Sequence, residues 1–230
     1  MFYDSRPRSL AQFIVSRCSF LVSRSRIAGI YVLADNTPAP QKSQLEIARQ
    51  SLAGGAKIIQ LRAKQLARPE FVKLAKEISL LCREAGAILI VNDYLEVALE
   101  VGAAGVHLGR DDMKIAEARK RGPGLIIGRS THSLEEALEV EAEGADYIAF
   151  GAIFPTVTKG RPTPIQGIEK LREVCERVKK PVVAIGGINR ANLPQVKKAG
   201  AAAAAFISEV VCADSIQERV GELIGTWNRD

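Results

Sequence analysis

The side chains best suited to chemistry in this chain share one trait: each stands at the end of a short apolar run. Gln60 lies near the end of IIQL with Arg62 and Lys64 just after it, and Asn92-Asp93 follows AILIV. His107 and Gly109 end AAGVHL and lead into Asp111-Asp112. Ser130, Thr131 and His132 come after LIIG, and the loop GAIFPTVTKGRPTP carries Thr156, Thr158 and Lys159. Gly186-Gly187 and Ile207-Ser208 close the last two runs. Two acidic positions on neighbouring loops can share Mg2+, an ion that takes carboxylate oxygens and keeps waters and substrate phosphates. Arg62, Lys64 and Lys159 can then hold the remaining charge of a diphosphate. Gly186-Gly187 and Ile207-Ser208 suit a second anion, bound by backbone N–H groups. Two anion sites, one with metal, point to two phosphorylated substrates.

Each feature alone has a plainer reading. Asn92-Asp93 and Asp111-Asp112 can cap the helices that follow them. His107 can be a satisfied structural histidine, Arg62 and Lys64 solvated cations, and the glycine pair a tight turn.

The elements that would gather these residues are legible in the repeat of the chain. Eight apolar runs, at 27–34, 56–61, 87–91, 103–108, 125–128, 146–151, 181–187 and 202–207, alternate with helical patterns of three- and four-residue spacing. Ser133, with Glu136 three residues on, predicts a capping box. Continuous apolar runs predict parallel strands buried on both faces. Eight strand–helix units predict a closed (β/α)8 TIM barrel, α/β in class, in which the chemistry lies in the loops after the strands. We expect one barrel domain over 27–230 and a short N-terminal extension over 1–26.

Bulk properties narrow the function. The net charge is +6, but residues 1–28 hold five arginines against Asp4, leaving 27 basic and 25 acidic residues beyond them. That near-neutral body has no basic stripe, so nucleic acid is not an expected partner. No apolar run approaches the roughly 18 residues of a membrane span. Cys18, Cys82, Cys175 and Cys212 are widely spaced, which argues against a disulfide framework or zinc site and for a reducing compartment. A cytoplasmic enzyme is therefore expected. The Arg- and Ser-rich extension is similar to an organellar transit peptide; an extra N-terminal helix or an upstream start codon are the alternatives. Homo-oligomerisation is left open.

The motifs GGAKIIQLRAK (54–64), LIVNDYLEVALEVGAAGVHLGRDDM (89–113), IIGRSTHSLEEA (126–137), ADYIAFGAIFPTVTKG (145–160) and PVVAIGGIN (181–189) together resemble the thiamine-phosphate synthase family. The resemblance covers essentially all of 27–230. It implies coupling of 4-amino-2-methyl-5-hydroxymethylpyrimidine diphosphate to a hydroxyethylthiazole phosphate, giving thiamine monophosphate and diphosphate. It further implies Mg2+ on Asp93 and Asp112, and pyrimidine-diphosphate contacts from Gln60, Arg62, Lys64, Asn92 and Lys159. By the same resemblance Ser130 helps hold the reacting methylene, His107 lines the site, and Thr156, Thr158, Gly187, Ile207 and Ser208 take the thiazole phosphate. Ser130, Lys159 and Arg62 are the implied catalytic residues.

Four positions depart from the family's common pattern: Ala63, Arg110, Ala152 and Ala203. The first two leave the implied metal and cation residues intact, whereas the alanine-rich last run bears on the thiazole pocket. Three rival readings share the fold. A thiazole tautomerase would use His132 but not the diphosphate apparatus, a non-catalytic sensor would bind without turnover, and a sugar-phosphate epimerase would need an acid/base pair that is not found on the expected loops.

Overall fold

The structure, a computed structural model, describes residues 27–156 and 164–229. Eight parallel strands close into a barrel in chain order. They are β1 Gly29–Ala34, β2 Ile58–Leu61, β3 Ile88–Asn92, β4 Gly105–Leu108, β5 Ile126–Thr131, β6 Tyr147–Gly151, β7 Val182–Ile185 and β8 Ala203–Phe206. Six of the predicted runs contain their strands; β3 continues one residue past its run to Asn92, and β5 continues past its run to Thr131. Closure is made by β1 against β8, with Gly29 opposite Ala203 and Val32 opposite Phe206. The extension over 1–26, with its transit-peptide reading, lies outside the described residues, as do Thr158 and Lys159.

The outer layer comprises α1 Gln44–Ala53, α2 Arg68–Glu84, α3 Leu95–Glu100, α4 Ile115–Arg121, α5 Leu134–Ala142, α6 Gly167–Arg177, α7 Leu193–Lys198, α8 Ser208–Val211 and α9 Ile216–Trp227. Among the described residues no helix is long and apolar enough to cross a membrane. Serine starts three of these helices: Ser43, Ser133 and Ser215 accept from the N–H groups of Glu46, Glu136 and Glu218. The predicted box at Ser133 is displaced by one residue, because the Glu136 carboxylate accepts from His132 N–H at 2.8 Å. The cap thereby ties the end of β5, and His132, to the first turn of α5.

Burial follows the two-residue period of a strand. Tyr31 and Leu33, Tyr147 and Ala149, and Val183 and Ile185 point into the barrel and line its cavities. The alternate residues Ile30, Val32, Ile148 and Val182 are also buried, and they face the helices. Each such aliphatic side chain contributes about 1.5–3 kcal/mol relative to exposure. Gly128 is needed inside the barrel: a Cβ there would sit 1.9 Å from the Tyr147 ring. The β5 glycine thus makes room for the largest interior side chain of β6.

Candidate active site

Two cavities open at the C-terminal ends of the strands. The larger, about 310 Å³, lies over β5 to β8, and the smaller, about 150 Å³, lies mainly over β1 to β5. Ser130, Ala149, Ile185 and Ala205 line both, so the cavities meet along a seam at those four residues.

The smaller cavity gathers Gln60, Arg62, Lys64, Asn92, Asp93, His107 and Ser130 from four strand ends. Asp93 has φ +64°, the one positive φ outside glycine among the described residues. It caps nothing: α3 is preceded by Tyr94, with no side-chain cap. Asp112 caps nothing either, since α4 is preceded by Lys114, with no side-chain cap; its carboxylate instead accepts from Gly109 N–H at 2.5 Å. The capping alternatives for both acids are therefore corrected. The two carboxyls approach each other. Partial burial, a hydrogen bond with Asp112 and its charge push the Asp93 carboxyl above the usual carboxylate range, while Lys64 pulls it back. Lys64 Nζ lies 3.3 Å from Asp93. Paired carboxylates crowded in this way fit Mg2+, which takes one or two protein carboxylates and completes its shell with phosphate and water oxygens.

Arg62 is held by a residue that the sequence reading missed. Asp35, 2% exposed just beyond β1, pairs through Oδ2 with Arg62 Nη1. Its Oδ1 accepts from Thr37 N–H at 2.9 Å and from the Thr37 hydroxyl at 2.5 Å. A buried carboxylate satisfied on both oxygens fixes the direction of the guanidinium. Its only sequence signal is an acid at a strand end, in the loop where no partner was sought.

The larger cavity collects Thr156, Gly187, Ile207 and Ser208, together with Asn189 and His132. Gly186 and Gly187 both have positive φ, at 101° and 64°. A Cβ on Gly187 would meet Pro155 O at 2.5 Å, and one on Gly186 would meet Ala152 Cα at 2.7 Å. The pair is thus a close backbone approach between the β7 and β6 loops, a stronger requirement than a turn. Asn192 supports it by donating to Gly187 O at 3.0 Å. His132 Nδ1 donates to Gly151 O at 2.6 Å.

The departures from pattern fall mostly outside the cavities. Arg110 is turned to Glu136 at 3.3 Å, and Ala63 is buried. Ala203 is buried in β8 and lines neither cavity, whereas Ala205 lines both and Ala152 lines the larger.

A barrel with one cavity of cations and paired carboxylates, joined to a second built on glycine backbone, defines a phosphate-handling (β/α)8 enzyme. A family model described as thiamine monophosphate synthase matches residues 30–210, and the chain belongs to that family. The thiamine-phosphate synthases of Methanospirillum hungatei and Pyrococcus abyssi are each 46% identical, covering 82% and 84% of this chain and 92% of their own. The solved structure of thiamine phosphate pyrophosphorylase from Pyrococcus furiosus superposes with a TM-score of 0.82 at 41% identity, covering 88% of this chain and 96% of that one. A 3-hexulose-6-phosphate synthase, at 19% identity and a TM-score of 0.64, shares the fold alone.

Proposed function

We propose that the chain couples hydroxymethylpyrimidine diphosphate, bound in the smaller cavity, to hydroxyethylthiazole phosphate in the larger, releasing diphosphate and thiamine monophosphate. The observation that carries this reading is the seam at Ser130, where two anion-suited cavities meet. Asp93 and Asp112 would hold Mg2+, which when bound supplies charge neutralisation for the departing diphosphate. Arg62, aimed by Asp35, and Lys64 face the same anion, and Lys159 joins them by its place in the family motif. Gln60, Asn92 and His107 orient the pyrimidine. Thr156, Thr158, Gly187, Ile207 and Ser208 hold the thiazole phosphate, with the glycine turn bringing backbone within reach of it.

The reaction this arrangement favours is dissociative. Diphosphate leaves the methylene carbon, the aminopyrimidine ring donates electrons into the resulting cation, and the thiazole nitrogen captures it. Such a path asks the protein for position and charge compensation rather than a nucleophile. Ser130, on the seam, stands beside the carbon that changes partners. A cytoplasmic location fits a biosynthetic role of this kind.

The test is product formation by the purified chain with both substrates, with and without Mg2+. Thiamine monophosphate and diphosphate appearing together, in a Mg2+-dependent manner, is the expected result. A folded protein that binds thiazole phosphate and yields no product would overturn the proposal in favour of a tautomerase or a sensor.

A further inference from the structure

A line of hydrogen-bonded side chains, buried up to its last member Ser130, crosses the barrel and lines the smaller cavity. Gln60 Nε2 donates to the Tyr31 hydroxyl at 2.8 Å. That hydroxyl lies 3.0 Å from the Tyr147 hydroxyl, which lies 2.9 Å from His107 Nδ1. His107 Nε2 lies 2.9 Å from Ser130 Oγ. Both phenols are fully enclosed, and burial raises their pKa well above the ordinary tyrosine value, so each keeps its hydrogen.

Counting those hydrogens gives the line a direction. The Tyr31 oxygen already accepts from Gln60, so its own hydrogen must go to Tyr147. The Tyr147 hydrogen then has one acceptor, His107 Nδ1, which must be bare. His107 therefore carries its proton on Nε2 and donates it to Ser130 Oγ. With Gln60 Nε2 as the donor to Tyr31, reversing either phenol leaves a buried hydroxyl hydrogen without an acceptor, an unfavourable arrangement. At the two ends, Gln60 and Ser130 line the cavity; the Gln60 carbonyl takes no part in the line, and Ser130 keeps its hydroxyl hydrogen.

We infer that Gln60, Tyr31, Tyr147, His107 and Ser130 form a one-way hydrogen-bond relay that selects an aminopyrimidine over its 4-oxo analogue. The inference rests on the pyrimidine-diphosphate reading of the smaller cavity. The relay presents an acceptor at Gln60, which matches an exocyclic amine and leaves a carbonyl at that place facing another carbonyl. At Ser130 it presents a donor strengthened by the bond from His107. Tyr31 and Tyr147 act through their neighbours and are positioning residues. Without the Tyr147 hydroxyl, Tyr31 must turn its hydrogen toward Gln60, and the amide flips to offer its NH2 group instead.

The experiment has two arms on the full chain. Nitrogen-15 NMR of the histidines is expected to show His107 as the Nε2–H tautomer, and Tyr147→Phe to disturb that state. Calorimetry without the thiazole partner then compares the amino- and 4-oxo-pyrimidine diphosphates in the presence of Mg2+. A site built to accept a substrate N–H rejects an analogue lacking it strongly, so the wild-type protein is expected to prefer the amine about 100-fold or more. Tyr147→Phe is expected to cut that ratio at least ~10-fold while leaving the affinity for inorganic diphosphate unchanged. Tyr31→Phe is the second variant should the first fail to fold, and the same loss of ratio is expected. An Nδ1–H tautomer in the wild-type protein, or an unchanged ratio in the variant, would overturn the relay. Wild-type protein that discriminates as expected but makes no thiamine monophosphate would overturn the proposed function alone.

Discussion

The two halves of the barrel mouth are built by different means. Over β1 to β4 the site is made of side chains: Arg62 on Asp35, Lys64 beside Asp93, and Asp112 turned back to Gly109. Over β6 to β8 it is made of backbone, with Gly186-Gly187 pressed against the β6 loop and the floor reduced to Ala149, Ile185 and Ala205. A diphosphate brings concentrated charge that calls for cations and a metal. A monophosphate on a flexible arm is served by N–H groups and by room. The contrast predicts that changes in side-chain charge should damage one half, and changes in backbone freedom the other.

The largest effect should come from removing either carboxylate. Asp93→Ala or Asp112→Ala is expected to lower turnover by roughly 10³-fold or more through lost Mg2+ binding, measured as kcat across a Mg2+ titration. A near-normal rate would remove that residue from the metal site and break the proposed division. Next comes Gly187→Ala on the other half. Its φ of +64° and the 2.5 Å approach to Pro155 O forbid a Cβ without movement, at a strain of about 1–3 kcal/mol. The KM for thiazole phosphate is expected to rise ~10-fold or more with that for pyrimidine diphosphate little changed; an equal rise in both would show that the halves are not separable.

How far the sequence foretold this division differs between the halves. Eight apolar runs and their spacing were enough for the barrel, because strands buried on both faces leave an uninterrupted apolar signature. Asp93, Asp112, Arg62 and Lys64 stood out because charges at strand ends have few other reasons to recur. Asp35 did not, although the structure makes it the partner of Arg62: pairing across 27 positions is a product of the β1–β2 register, which places Leu33 beside Gln60 and Ala34 beside Leu61. Tyr31 and Tyr147 did not stand out either, since nothing local reveals that their hydroxyls meet inside the barrel. The capping alternative for Asn92-Asp93 and Asp111-Asp112 was reasonable from sequence, and it fails because each helix begins later than those residues.

A smaller effect sharpens the side-chain half. Asp35→Asn keeps the shape of the partner but removes its charge, leaving Arg62 held by a weaker, uncharged acceptor. The KM for pyrimidine diphosphate is expected to rise about 3- to 10-fold, with kcat and the KM for thiazole phosphate nearly constant. A fall in kcat alone would place Asp35 in the chemistry instead of behind Arg62.

The smallest predicted effect is one of stability, and its sign follows from the raised Asp93 carboxyl. A carboxyl whose pKa is higher folded than unfolded favours the folded state when protonated, and that advantage is lost as pH rises through the folded value. Above its folded value the ionised Asp93, held near Asp112, therefore works against folding. Asp93→Asn removes that repulsion and also suits a left-handed φ, which asparagine tolerates well. In the absence of metal the variant is expected to melt a few degrees higher than the wild-type protein near neutral pH, about what 1 kcal/mol gives in a chain of this length. The gap should close as pH falls below the ordinary carboxylate range, where Asp93 is protonated in both states. Mg2+ should narrow the gap from the other side, by stabilising the wild-type protein more than the variant. Thermal melts at two pH values, with and without Mg2+, give all four comparisons. A variant less stable at every pH would mean that the Asp93 charge supports the fold, and the side-chain half would then owe its arrangement to stability rather than to its ligand.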